Sequence, residues 1–158
     1  MPKFGQTSET RLTTCHRDIQ TIMREVVKDF DIMIVEGQRT AERQHEHWQK
    51  GRQLIQLPNV MDTKDPNNWE IVDKAKVVTY KDGFVKKSIH QSEPKSKAVD
   101  VVPWPTTWSD QDKLDELRAK VKDVQERLLS EGRIENKLEN GYDLWDGFDK
   151  PHWQLENA

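Results

Sequence analysis

The run Ala98-Val99-Asp100-Val101-Val102 constrains this chain more than any other segment. It is apolar apart from Asp100, Pro103 and Pro105 close it, and it is too short for a helix, so it is a buried strand. Alternation sets Ala98, Asp100 and Val102 on one face. A carboxylate there is costly unless it is hydrogen-bonded, paired or metal-bound. Two readings stand side by side: an aspartate that holds a turn or pairs with an arginine, and an aspartate that ligates.

The remaining pattern supplies helices before and after that strand. Ile19, Ile22, Met23, Val26, Val27 and Phe30 recur at helical spacing and predict an amphipathic helix over roughly 17–29. Residues 32–35 form a short buried strand, and Thr40 is the N-cap of a helix running to about Gln49, closed by Gly51. Residues 52–75 are polar and poorly periodic, with Pro58, Pro66 and Asn67-Asn68, and are expected to be a loop insertion. The segments 76–80 and 84–87 flank Asp82-Gly83 and predict a hairpin. Ser109 with Asp112 resembles a capping box, followed by the stripe Leu114, Leu117, Val121, Val124 and Leu128, with Gly132 as the stop. Residues 142–145 and 153–155 are expected as short strands. At 158 residues the chain suits one domain. The class is α+β: a single compact domain, 1–158, with a small antiparallel sheet, helices packed against it and no separate wall-binding domain.

Charge and cysteine content exclude several roles. Lys and Arg total 25 against 28 Asp and Glu, a net charge of −3, so no basic field draws in nucleic acid. The lone cysteine, Cys15, excludes an internal disulfide and a multi-cysteine zinc module, and is expected to be a packing residue. No run of about 18 apolar residues exists, so no membrane insertion is expected. The first eleven residues hold no apolar run, so no signal peptide is expected. A soluble monomer is expected.

Among the histidines, His152 lies in Pro151-His152-Trp153-Gln154-Leu155, where alternation sets Trp153 and Leu155 on one side and His152 and Gln154 on the other. Lys150 precedes proline and resists helix, so Asp149 and His152 are not a pair on one helical face. His90 follows Ser88 in a polar segment. His45 and His47 are two apart, which is not the helical zinc-protease spacing, and His16 stands alone beside Cys15. Taken alone, His152 is most simply an exposed surface residue, and His90 by itself says almost nothing. Taken together, though, two histidines and a buried aspartate suit a catalytic zinc site, whose fourth position stays open for water. Asp149 is near enough in sequence to serve as the carboxylate that handles the proton.

Ser88-Ile89-His90, then Ser96-Lys97-Ala98-Val99-Asp100, then Asp149-Lys150-Pro151-His152 resembles the motif of the zinc peptidases of bacterial cell walls. That group includes D-alanyl-D-alanine carboxypeptidases and dipeptidases and the phage L-alanyl-D-glutamate endopeptidases. The aromatic run 142–148, the segment Glu36-Gly37-Gln38-Arg39-Thr40 with Glu42-Arg43-Gln44, and Thr14-Cys15-His16-Arg17-Asp18-Ile19 extend the resemblance over most of the chain except 52–75. The last two segments are closest to phage endolysins. Three departures stand out: Ser96 replaces the commoner glycine, Pro94 lies in the spacer, and His90 and Asp100 are ten positions apart, longer than usual.

The resemblance implies the hedgehog and D,D-peptidase type of fold, with Zn2+ on His90, Asp100 and His152. It implies Asp149 as general base and Arg39 as the group that binds a substrate carbonyl or carboxylate. Ser88 belongs to the motif and is a candidate substrate contact; Trp69 is either a substrate contact on a lid or a core residue pinning the loop. The implied partner is bacterial peptidoglycan, cut between L-alanine and D-glutamate by an endolysin made in the host cytoplasm and released to the periplasm through a phage-made membrane hole. The alternatives are a D-alanyl-D-alanine carboxypeptidase or dipeptidase, a catalytically silent peptidoglycan-binding module, and a phage structural protein with incidental histidines.

Overall fold

A computed structural model of the chain describes residues 2–55, 62–105 and 108–158. Its helices are α1 (Gln6–Leu12), α2 (Arg17–Asp29), α3 (Ala41–Gln49), α4 (Gln111–Ser130) and α5 (Gly141–Leu144). Its strands are β1 (Ile32–Glu36), β2 (Arg52–Leu54), β3 (Trp69–Ile71), β4 (Ala98–Pro103), β5 (Leu138–Asn140) and β6 (His152–Leu155). These elements divide into two units, Met1–Gln38 with Ser92–Ala158, and Arg39–Gln91. The class is α+β.

The first unit is built on an antiparallel sheet ordered β1-β4-β6-β5. Ala98, Val99, Val101 and Val102 are all fully buried, as an interior strand with apolar residues on both faces requires. Ile19, Ile22, Met23 and Val26 of α2 and Leu117, Val121 and Leu128 of α4 join Val99, Val101 and Trp153 in one core. Each such side chain contributes roughly 1.5–3 kcal/mol relative to exposure. Helix α2 has the expected bounds, with the His16 ring accepting from the Asp18 N–H as its N-cap. Helix α4 carries the expected stripe, but its cap is one residue later than Ser109: the Asp110 carboxylate accepts from the Lys113 N–H at 3.1 Å.

Helix α1 has no counterpart in the sequence reading, because only Ser8 and Leu12 of its residues are buried. Its role is at the sheet edge. The Ser8 hydroxyl accepts from the Ile34 N–H (3.1 Å), and Arg11 donates to the Ile34 carbonyl (3.0 Å), so β1 does not present those groups bare. Buried Asp18 sets the entry to β5, accepting from the backbone of Glu135 (3.1 Å) and Asn136 (2.9 Å) and from the Asn136 side chain (3.0 Å). The strand expected at 142–145 is instead a turn of helix. Asn140 ends β5 and accepts from the Tyr142 N–H at 3.1 Å, which turns the chain into α5.

The second unit holds α3, capped by Thr40 on the Arg43 N–H as expected. The segment 52–75, expected as a loop, carries a strand pair at its two ends, with Arg52 opposite Ile71 and Leu54 opposite Trp69. Residues 56–61, with Pro58, lie outside the described residues. The hairpin expected around Asp82-Gly83 is absent from the described residues: the turn forms, but no strands flank it. The Asp82 carboxylate takes the N–H groups of Phe84, Val85 and Lys86 at 2.8–3.0 Å, the very donors a ladder would need. Gly83 is required there, with φ at +96° and the Ala41 carbonyl where a Cβ would stand, at 2.6 Å. His45, Trp48, Trp69 and Phe84 pack as rings, their centroids 5.2–5.9 Å apart. Among the described residues no helix is long and apolar enough to cross a membrane.

A charge cluster ties α2 to α4 and the turn after it. Glu25, 9% exposed, pairs with Lys28 (2.7 Å), Arg127 (3.0 Å) and Arg133 (3.0 Å). Lys28 first, then Arg127 and Arg133, hold its carboxyl down to about 2 from an ordinary 4.5. A depressed carboxyl pKa stabilises the fold above 4.5, and that stabilisation is lost as pH falls toward 2. Glu25→Gln should lower stability at neutral pH by about 1–3 kcal/mol in urea unfolding. It should also flatten the decline between pH 4.5 and 2. An unchanged pH slope over that window would refute the assignment.

Candidate metal centre

In the first unit, Asp100 of β4 stands directly opposite His152 of β6. Trp153 and Leu155 enter the core, so alternation sends His152 and Gln154 to the other face, where Asp100 meets them. His152 is nonetheless buried, at 5% exposure, which excludes the simple surface role. Its Nδ1 lies 3.3 Å from Asp100 Oδ1, and its Nε2 lies 2.9 Å from Gln154 Oε1. The Trp145 ring covers it, with centroids 5.0 Å apart and planes at 44°.

Burial pushes the His152 pKa down, but the hydrogen bond and charge of Asp100 outweigh it, with smaller help from Gln154 and Asp149. The net direction is upward. As an imidazolium the ring donates to Asp100 and to Gln154. As the neutral ring with Nε2–H held by Gln154, it turns an Nδ1 lone pair toward the carboxylate. Two electron-pair donors then converge, an arrangement able to hold a cation in place of the proton.

The spacing fits that use. A tetrahedral ion with ligand bonds of about 2.0–2.1 Å separates its ligand atoms by about 3.3 Å, the distance found here. Gln154 is the kind of outer partner that fixes a ligating histidine's tautomer. Sequence reasoning did not single it out, although its position two residues from His152 on the same face was the available signal.

Asp149 lies three residues before His152, in a turn where Asp146, Gly147 and Asp149 all have left-handed backbone, φ 52°, 86° and 61°. Aspartate tolerates that region better than most residues. The Asp149 carbonyl accepts from the His152 N–H at 3.1 Å, and its side chain is exposed. Ser96 ties the spacer's end to the N-terminal segment. Its backbone pairs with Thr14 (2.9 Å) and His16 (2.8 Å), and its buried hydroxyl donates to the Ala98 carbonyl (2.6 Å). Cys15 beside it is fully buried, and burial pushes its thiol up to about 12, so it packs rather than reacts.

In the second unit, His90 is buried on a 3-10 turn, Ile89–Gln91. The Ser88 hydroxyl accepts from the His90 N–H (3.2 Å), and the Gln91 side chain links the Ser88 N–H (2.8 Å) to the Gly83 carbonyl (2.8 Å). Ser88 therefore holds the turn that carries His90. The Arg39 N–H donates to the His90 carbonyl at 2.9 Å, and the Arg39 guanidinium donates to Gln44 Oε1 at 2.6 Å. These bonds place Arg39 and His90 side by side along the backbone. The Trp69 indole donates to the Thr63 carbonyl (3.0 Å) and packs edge-on to His45 and Trp48, in the manner of a residue pinning its loop. Both ring nitrogens of His45 meet backbone carbonyls, Asp82 at 2.9 Å and Thr63 at 2.8 Å, which commits that histidine to its own unit.

No known protein family and no curated protein matches the sequence. The fold has solved counterparts. One is the crystal structure of the Serratia marcescens L-Ala D-Glu endopeptidase ChiX, with a TM-score of 0.63 over 96% of this chain and 88% of that one, at 20% identity. A likeness at that identity is one of fold.

The geometry predicts how His152 titrates. In the metal-free wild type its pKa lies above the ordinary 6.5. Asp100→Asn removes the main group that raises it and leaves the burial that lowers it, so NMR titration should place the variant below the wild type. A variant value equal to the wild type's would mean that Asp100 does not set the ring's charge.

Proposed function

We propose that this chain is a zinc-dependent peptidoglycan hydrolase that cuts the L-alanyl-D-glutamate bond of the stem peptide. The observation that carries the reading is the Asp100–His152 pair at ligand spacing. It occurs in a chain whose fold matches, over 96% of its length, that of an enzyme described as an L-Ala D-Glu endopeptidase. His90, Asp100 and His152 are the proposed ligands, His90 on the strength of the motif resemblance. Two imidazoles and one carboxylate suit zinc, and three protein ligands leave a position open. The resemblance of the segments 14–19 and 36–44 to phage endolysins supports the finer reading: a lysis enzyme acting on the host wall from the periplasm.

When bound, zinc supplies a Lewis acid that polarises the scissile carbonyl and makes hydroxide available near neutral pH. The chain's own groups perform the rest. The Asp149 carboxylate accepts the proton of the attacking water and returns it to the departing amine nitrogen. The Arg39 guanidinium steadies the charge that develops on the carbonyl oxygen, in a geometry its donor fork suits. Gln154 Oε1 keeps Nε2–H of His152 in place, so that Nδ1 stays a ligand.

Mass spectrometry of purified peptidoglycan after digestion tests the bond. New peptides beginning at D-glutamate should accumulate with the wild type and be lost with Asp149→Ala. Release of terminal D-alanine would instead make the chain a carboxypeptidase. No cleavage with zinc bound would make it a binding module. The ligand set has its own check: His90→Ala should lose stoichiometric zinc in elemental analysis while keeping the wild-type circular dichroism. Full zinc content in that variant would remove His90 from the site.

A further inference from the structure

Asp149 sits on a short irregular segment that leads into His152 at the start of β6, and something must hold it to the precision that proton transfer and ligation need. Asn140, at the end of β5, is fully buried. Its amide nitrogen donates to the Lys150 carbonyl at 2.8 Å and to the His152 carbonyl at 3.1 Å, on either side of Pro151. Its amide oxygen accepts from the Tyr142 N–H at 3.1 Å. Proline has no N–H and cannot anchor this stretch by donating, so the grip falls on the flanking carbonyls. Next along, a Cβ on Gly141 would stand 2.3 Å from the Asp149 carbonyl oxygen and 3.1 Å from the Asp149 Cβ. Gly141 lies outside the left-handed region, so its missing side chain is a matter of space and not of backbone conformation. Asp149 then passes its carbonyl to the His152 N–H (3.1 Å), and Pro151 passes its carbonyl to the Val101 N–H (2.9 Å), beside Asp100.

We infer that Asn140-Gly141 is a clamp that positions the Asp149 carboxylate and the His152 ring, Asn140 by gripping the backbone from 150 to 152 and Gly141 by seating the backbone of Asp149. Both are positioning residues, and what they position rests on the proposed function above. The competing role for Asn140 is that of a helix cap for α5 alone. The two roles separate cleanly. Aspartate caps as well as asparagine, so Asn140→Asp keeps the bond to the Tyr142 N–H. It has no N–H, however, and sets a carboxylate against two carbonyl oxygens.

The test uses the full chain and reads amide hydrogen exchange without added metal, then zinc affinity by chelator competition. In Asn140→Asp the His152 and Val101 amides should exchange at least about tenfold faster while those of Ile22 and Val26 stay protected, a local opening. Zinc should bind about 10–100-fold more weakly, as for other residues that orient a ligand. Gly141→Ala should lower kcat by about 100-fold with KM little changed, because Asp149 is displaced rather than the substrate contacts. Exchange and zinc affinity at wild-type values in Asn140→Asp would overturn the clamp. So would loss of the whole fold, which would make Asn140 a general structural residue. A wild type that takes no zinc would defeat the proposed function, while the exchange arm would still decide the clamp.

Discussion

The register of β4 against β6 governs the candidate site. It brings a carboxylate and an imidazole, far apart in sequence, to 3.3 Å on one face of a sheet whose other face is core. A slip of one residue would turn His152 into the core and Trp153 out of it. Trp153, fully buried among α2, α4 and β4, therefore fixes the register that the chemistry needs. Stability and site geometry rest on the same alternation.

Support around that pair comes from polar groups placed where backbone needs them. Asp18 ties the chain at 135–136 to α2 and so aims β5. Asn140 and Gly141, at the end of β5, meet the segment that carries Asp149 and His152. In the second unit Asp82, Gln91 and Ser88 do the same for His90, each exchanging hydrogen bonds with backbone rather than with solvent. Irregular segments that carry function are held in this way because they have no ladder to hold them.

Much of this was legible in the sequence, for physical reasons. Asp100 inside an apolar strand announced a carboxylate in need of a partner, and the alternation Trp153–Leu155 against His152–Gln154 placed the histidine on the right face. The long helices were legible because their apolar stripes are wide. Short elements were not. Helix α1 buries too little to show a period, α5 exists because an asparagine caps it, and the Asp82 turn looks like a hairpin until its carboxylate takes the donors. The pairing of β2 with β3 is hidden because each strand is only three residues long. Gln154 could be read from its place two residues from His152 on the same face, whereas Asn140 acts through tertiary contacts that no local pattern encodes.

We propose that Asp100 and His152 are ligands of one zinc ion, with His90 as the third ligand that the motif resemblance implies. Zinc-edge X-ray absorption of the full chain with one equivalent of the metal tests it most directly. The expected result is a shell of four nitrogen and oxygen atoms at about 2.0–2.1 Å, with the scattering signature of two imidazoles and no sulfur. A sulfur at about 2.3 Å, a third imidazole in the shell, or zinc that does not bind in equimolar amount would contradict it.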